Sequence, residues 1–437
     1  MSAAHVLYRP LPNYPDVIPS VGSASKLTLS QRLQLSLLFI FLFSEVMAGP
    51  LRFLLSMVSL SALVYVPKIL LAATVLGVTL YRIYVGRIST VFALTLLVFA
   101  LSSLVGWIYT GNLMQPAFGI FALVPLLYAV MAEPALRKAG SRILPYVVVL
   151  WCLAAVGVAI DYYTDVPWTG LEYKFGDVSV EGSREWTTFG FERVAGFARA
   201  SFEAADQLLL LSIVIVFLSE RKLLKPVVWI ATGILIYWTT TKKTSGTWII
   251  LTLVLPWMTA RFMPTVIIRQ AAWVIPTLAA LIGIALPVST LFIAYQLDLN
   301  DFVSQLLFAS FNERLTYVWP ASLDLALTHG SPIFGRGIGG IGAAQKYFEE
   351  SLQMPADNFF IYLYVIFGVF SLPLIYFYTK RAAAIFIKKQ DYANLMWALC
   401  IAILFNGWAT NVMESSITSI ALGVSISYLS CTRRPAI

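Results

Sequence analysis

The chain has 437 residues, 59% of them hydrophobic and only 12% charged, with a mean hydropathy of +0.80. Soluble domains run at roughly 45–50% apolar and about 25% charged, so this composition excludes a water-soluble globular protein and predicts an all-α polytopic membrane protein. A formal charge of +8 raises nucleic acid as a partner, but basic residues in such chains belong mostly to cytoplasmic loops, and the loop count below removes the nucleic-acid reading.

Residues 1–32 carry Pro10, Pro12, Pro15 and Pro19 among polar residues and lack the short apolar core and cleavage site of a signal peptide. They read as a cytoplasmic N-terminal tail ahead of a single transmembrane domain, 33–437. Apolar runs near the length needed to cross about 30 Å of hydrocarbon fall at 33–49, 63–84, 89–108, 116–132, 143–161, 204–219, 226–241, 245–260, 270–295, 358–379, 392–411 and 412–430. That makes about 12 transmembrane helices. Cys152, Cys400 and Cys431 sit in or at the ends of these runs without CxxC spacing and read as core residues.

With the N-terminus inside, alternate loops collect Arg9, Lys26 and Arg32; Arg82 and Arg87; Arg137, Lys138 and Arg142; Arg221, Lys222 and Lys225; Arg261 and Arg269; Lys380, Arg381, Lys388 and Lys389; and Arg433 and Arg434. Nineteen of the 30 basic residues therefore lie on one side, which the positive-inside rule makes cytoplasmic, with both termini there. The other side has short connections and two long loops, 162–203 and 296–357, which hold most of the acidic residues. Loops of this length are usually functional or disordered. Their aromatic and glycine content favours function.

Three stretches on that outer side can carry chemistry. The first runs from Arg193 to Ser201 and contains Gly196 and Arg199. A guanidinium fork binds phosphate oxygens in a bidentate way, although both arginines could instead pair with Glu192, Glu203 or Asp206. The second is Thr239 to Gly246, where Lys242 and Lys243 break the charge rule that the short loops otherwise obey. Such a violation suits an anionic ligand, and snorkelling to lipid phosphates is the plainer alternative. The third stretch is the loop 296–357. Glu313, Arg314 and Tyr317 open an expected helix, and a glycine-rich run from Phe334 to Gly342 encloses Arg336. That run lacks the Lys-Ser/Thr ending of a P-loop, so close backbone packing is the expected role of its glycines. His329 reads as a hydrogen-bonded structural residue. Asp357 opens the next span, where a carboxylate can cap the helix or serve an acceptor hydroxyl as base.

Together these features resemble the O-antigen polymerase and O-antigen ligase superfamily. The resemblance rests on Arg193 to Gly196 before a span, the Thr241 to Gly246 turn, Arg314, Pro332 to Gly340, and Asp357 to Phe359. It covers most of the chain after residue 30, with short and degenerate motifs. Such proteins are similar to C-type glycosyltransferases and take a polyprenyl-diphosphate-linked oligosaccharide at the outer leaflet of the bacterial inner membrane. Family ligases have histidine immediately before the asparagine that opens the following span. Asp357 stands there in this chain, which favours a polymerase, in particular an exopolysaccharide repeat-unit polymerase such as those of the xanthan type.

The resemblance implies metal-independent glycosyl transfer with no cofactor. Arg193, Arg199, Lys242, Lys243, Arg314 and Arg336 are the diphosphate candidates, and Arg193, Arg314 and Asp357 the catalytic ones. Asn358, Tyr317, Glu313 and His329 are candidates for acceptor binding. A single direct displacement would invert the anomeric centre. The expected partners are the lipid-linked glycan, the bilayer, a chain-length-regulating co-polymerase and a flippase. A ligase-type transfer to a lipid acceptor and a transporter of polyprenyl-linked glycans remain as alternatives.

Overall fold

A backbone surrounded by hydrocarbon must satisfy its own N–H and C=O groups, and this chain does so almost entirely with helices. The computed structural model describes residues 26–86, 88, 90–175, 178–184, 187–188, 191–259, 264–355, 357–386 and 391–431. Most of the expected N-terminal tail lies outside these residues, as do Arg87, Asp177, Glu185, Arg261, Lys388, Lys389, Arg433 and Arg434.

The first helix, α1 (Leu29–Val46), is entered through a capping box of Thr28 and Gln31. It is followed by α2 (Ala48–Met57), α3 (Val66–Tyr84), α4 (Thr90–Thr110), α5 (Met114–Ala122), α6 (Val124–Ala139) and α7 (Leu144–Tyr163). Two short antiparallel hairpins come next, β1 (Glu172–Phe175) with β2 (Val178–Glu181) and β3 (Thr187–Thr188) with β4 (Phe191–Glu192). The chain then continues through α8 (Ser201–Leu218), α9 (Leu224–Trp238), α10 (Lys242–Thr259) and α11 (Thr265–Ser289). The long loop of the sequence holds α12 (Phe302–Glu313), α13 (Trp319–Thr328) and α14 (Ala343–Phe348). Last come α15 (Phe359–Phe367), α16 (Ser371–Ile385), α17 (Asp391–Asn406) and α18 (Ser416–Cys431).

Among the described residues seven helical stretches are long and apolar enough to cross a membrane, and α9, α17 and α18 are shorter apolar helices. The chain is a helical membrane protein. α6, α8, α17 and α18 form its interior, while α3, α4, α7 and α11 expose large apolar side chains such as Leu76, Leu101, Val149 and Leu278. Cys400 is buried, but Cys152 and Cys431 are exposed rather than core residues.

One stretch, Val124–Tyr163, has 40 residues, about 60 Å as a straight helix. It folds into two opposed legs at Gly140, whose φ is +53°. Lys138 donates to Gln31 at the start of α1, whereas Gly157 packs on Phe197, whose carbonyl accepts the N–H of Gly49 just beyond the end of α1. α7 therefore runs with α1 and α6 against it. The contact of Arg137 with Tyr428 puts the end of α18 beside Lys138, so the loop before α18 lies at the opposite end of the bundle.

The glycine-rich run accounts for a second break. α15 stops at Gly368, with φ +56°, and the chain restarts as α16 after a 3₁₀ turn. The freed carbonyl of Val365 accepts the N–H of Arg336 at 2.5 Å, and that of Ile366 accepts the N–H of Gly337 at 3.1 Å. Val369 in turn donates to Pro332 and Ile333, and Ile338 donates to Ser102 on α4. Gly337 has φ +78°, and a Cβ there would stand 2.0 Å from the Gly106 nitrogen. Backbone touches backbone, as expected for these glycines.

Replacement of Gly337 by alanine should therefore cost about 3 kcal/mol or more, from overpacking and the positive φ together. Gly77→Ala, on α3 with nothing within 4 Å of a new Cβ, should be neutral. Thermal unfolding of the two variants in detergent micelles would show the difference.

Candidate functional site

Arg314 stands where α12 gives way to a π-helical turn, Arg314–Val318, a local irregularity frequent at functional sites. α12 itself begins earlier than the sequence suggests, at Phe302, capped by Asp301, whose side chain accepts the N–H of Ser304. One Arg314 nitrogen, Nη2, lies 3.0 Å from Asp357 Oδ2, and Nη1 donates to the Ser310 carbonyl at 2.8 Å and to the Ser310 hydroxyl. The two charged side chains remain 19% and 38% exposed, so a ligand can reach both.

Asp357 is available for this pairing because its neighbour caps the helix. Asn358 Oδ1 accepts the N–H groups of Phe360 and Ile361 at 2.8 and 3.0 Å. Its Nδ2 donates to the carbonyls of Trp408 and Gly283 at 3.1 and 3.4 Å. Asn358 is buried and its amide is engaged on every side, which removes it from the acceptor-binding candidates. Glu313 and Tyr317 are exposed on either side of Arg314. His329 is exposed at the end of α13, and its carbonyl accepts from Arg336.

Arg193 and Lys242 complete a group with Arg314. Burial and then the charge of Arg314 hold the Arg193 guanidinium below its ordinary pKa. Burial, then Arg193, then Arg314, lower that of Lys242 in the same way. Three cations from three separate connections thus lie within electrostatic reach of one another, and crowded like charges favour an anion among them. Lys242 opens α10 from a strained turn, since Thr240 has φ +53°. A β-branched residue rarely occupies that region, and strain of this kind gathers at ligand clamps.

The turn is held by the other lysine. Lys243 Nζ lies 3.0 Å from Asp206 Oδ2 and donates to Thr410 at 2.6 Å, while Thr244 and Asn406 donate to Asp206 Oδ1. Asp206 is fully buried and Lys243 only 10% exposed. Lys243 is therefore a structural partner and no longer a diphosphate candidate. The same correction applies to Arg336, which is buried and donates to the carbonyls of His329 and Gly340 and, at 2.6 Å, to Glu349. Its glycines bring the backbone to α4 and α15, and no phosphate is needed to explain them.

Asp161, which the sequence reading passed over, anchors the Arg193 stretch: its Oδ2 accepts the N–H groups of Ala195 and Gly196 at 2.8 and 2.6 Å. Gly196 has φ +65°, and a Cβ there would meet the Val158 nitrogen at 2.7 Å, so this glycine serves approach to α7 and not to a ligand. Arg199 turns away to a second charged group, in which it is the leading charge acting on Glu203, with Glu45, Arg52 and Arg184 also contributing. Lys68 and Glu414 belong there too. Glu414 accepts hydrogen bonds from the Ala343 N–H at 3.0 Å and from the Tyr362 hydroxyl at 3.1 Å. Arg199 thus lies within electrostatic reach of Glu203, and its Nε is buried without a hydrogen-bond partner. The signal missed for Lys68 and Glu414 was a charge inside or beside an apolar run.

Neither protein-family profiles nor curated proteins include a match to this chain.

Breaking a buried ion pair by removing one partner costs about 3–5 kcal/mol, so Lys243→Ala should lower the unfolding midpoint sharply. Lys242→Ala, which leaves the Asp206–Lys243 pair intact, should lower it less. Thermal unfolding of both in the same detergent checks the division of labour between adjacent lysines.

Proposed function

We propose that the chain polymerises polyprenyl-diphosphate-linked oligosaccharide repeat units into an exopolysaccharide, by metal-independent inverting glycosyl transfer at Arg193, Lys242, Arg314 and Asp357. The observation that carries this reading is that three cations from separate connections act electrostatically on one another, and that one of them, Arg314, is paired with the accessible carboxylate of Asp357. The basic residues Arg137, Lys138 and Arg381 lie towards the far ends of helices that lead away from this end, and Arg221 and Lys222 just beyond one. By the positive-inside rule they face the cytoplasm. Twelve crossings, with both termini on that side, then bring the site to the periplasmic face of a bacterial inner membrane.

In the reaction an acceptor hydroxyl oxygen attacks the anomeric carbon as its bond to the diphosphate oxygen breaks. The bonding electron pair leaves with the diphosphate, and the hydroxyl proton passes to Asp357. Negative charge grows on the leaving group, so the preorganised guanidinium and ammonium groups stabilise the transition state more than the ground state. Asp357 also orients the hydroxyl, a role to which its bond with Arg314 is suited.

Transport of a lipid-linked glycan is the second reading. It is favoured by the half-buried charges of Glu45, Lys68, Glu203 and Glu414, because ionisable groups in or beside membrane spans often mark a translocation path.

Purified protein supplied with lipid-diphosphate-linked repeat units in detergent should yield a ladder of longer glycans and free polyprenyl diphosphate. Arg193→Ala, Arg314→Ala or Lys242→Ala should each lower kcat about 10²–10³-fold, the usual effect of deleting one such donor. Full elongation by folded Arg193→Ala protein would remove the diphosphate assignment. A donor that crosses vesicles without chemical change would favour transport.

A further inference from the structure

Beside the cation group lies a recess of about 370 Å³ lined by Asp161, Tyr162, Tyr163, Thr164, Asp165 and Val194. Its size falls in the range of roughly 300–1,000 Å³ typical of small-molecule sites. Tyr162 stacks on Trp238 with centroids 4.5 Å apart and planes 11° apart, and Tyr163 meets Trp238 edge-on at 5.8 Å. The outermost ring, Tyr163, is 72% exposed. Asp161 is fixed in place by its two bonds to the Arg193 stretch.

We infer that this recess is a saccharide subsite, which takes the sugar joined to the diphosphate. The inference rests on the glycosyl-transfer reading above for the identity of its ligand. Sugars present C–H faces that pack on aromatic rings and hydroxyls that donate to carboxylates, and the recess supplies both kinds of surface within a few residues. Its two carboxylates disfavour phosphate and bare acyl chains alike. A plain interfacial belt would need tyrosine and tryptophan but neither aspartate.

The recess adjoins the cations covalently as well as in space. Val194 lines it and follows Arg193, while Trp238, which stacks on Tyr162, ends α9 four residues before Lys242 opens α10. A glycan whose diphosphate rests on Arg193 and Lys242 therefore has its first sugar next to the tyrosines. With cations on the phosphate side and carboxylates on the sugar side, the donor can lie in only one direction.

The probe is the free oligosaccharide released by mild acid from the lipid-linked glycan of the host cell, titrated calorimetrically into full-length protein in detergent. The wild-type protein should bind it, and Tyr163→Ala or Asp165→Asn should weaken binding about tenfold, with Tyr163→Phe restoring most of it. The same two variants should raise KM for the lipid-linked donor about tenfold, with a smaller effect on kcat. Arg193→Ala should leave binding of the free sugar, which has no diphosphate, intact. Wild-type elongation with unchanged KM and sugar binding in Tyr163→Ala and Asp165→Asn would overturn the subsite and leave the proposed function standing. Sugar binding that depends on Tyr163 in a wild-type protein unable to elongate would keep the subsite and overturn the polymerase. Absence of both binding and elongation in the wild type would overturn both.

Discussion

The hydrogen bonds between the broken span α15–α16 and the glycine-rich run are the constraint on which the arrangement of the site depends. In hydrocarbon the carbonyls of Val365 and Ile366 have no water to turn to, and an unsatisfied group costs several kcal/mol. The N–H groups of Arg336 and Gly337 fill that need, which pulls a polar loop down between α4, α5 and α15. Arg336 then requires its own partners, and Glu349 meets it while also accepting from Gln115 on α5. The loop is thus pinned at its middle. Its two ends return together, and Arg314 and Asp357 meet across 43 residues of chain.

Each candidate residue at this end stands beside one that holds it in place. The Arg193 stretch is tied to α7 through Asp161, and the Lys242 turn to α8 and α17 through the buried Asp206–Lys243 pair. Asp357 is carried by Asn358, whose amide reaches the carbonyl of Trp408 in the connection that also supplies Thr410 to Lys243. Two of these anchors, the Asp206–Lys243 pair and Asn358, are therefore linked through one short connection, 407–415.

This pairing of anchor and candidate explains what was legible in the sequence and what was not. Apolar runs located the helices because hydrocarbon burial is read from local composition, and the charge rule singled out Lys242 and Lys243 together. Choosing between them needs the position of Asp206, which lies 37 residues away in the chain. Arg336 looked like a phosphate ligand because an arginine among glycines is the same local pattern whether the glycines admit a ligand or another helix. Asp357 looked like a helix cap until Asn358 proved to fill that place. The fold was open to reading from composition. The assignment of single residues was not, because neighbours on one segment face different partners.

The two charged groups at this end of the bundle differ in a way that bears on function. Around Lys68 the strongest charge effects come from Glu45 and Glu414, both of opposite sign, and around Glu203 from Arg199. That network is compensated largely from within and has the character of a buried structural element. Among the charges that act on Lys242 are Arg193 and Arg314, both of its own sign. Repulsion of this kind in a partly buried setting opposes folding, and an anion among the three cations would reverse its sign. The strained Thr240 backbone and the π-helical turn at Arg314 add to the same cost. Under the proposed function, a lipid-linked diphosphate would offset these local departures from the most stable arrangement.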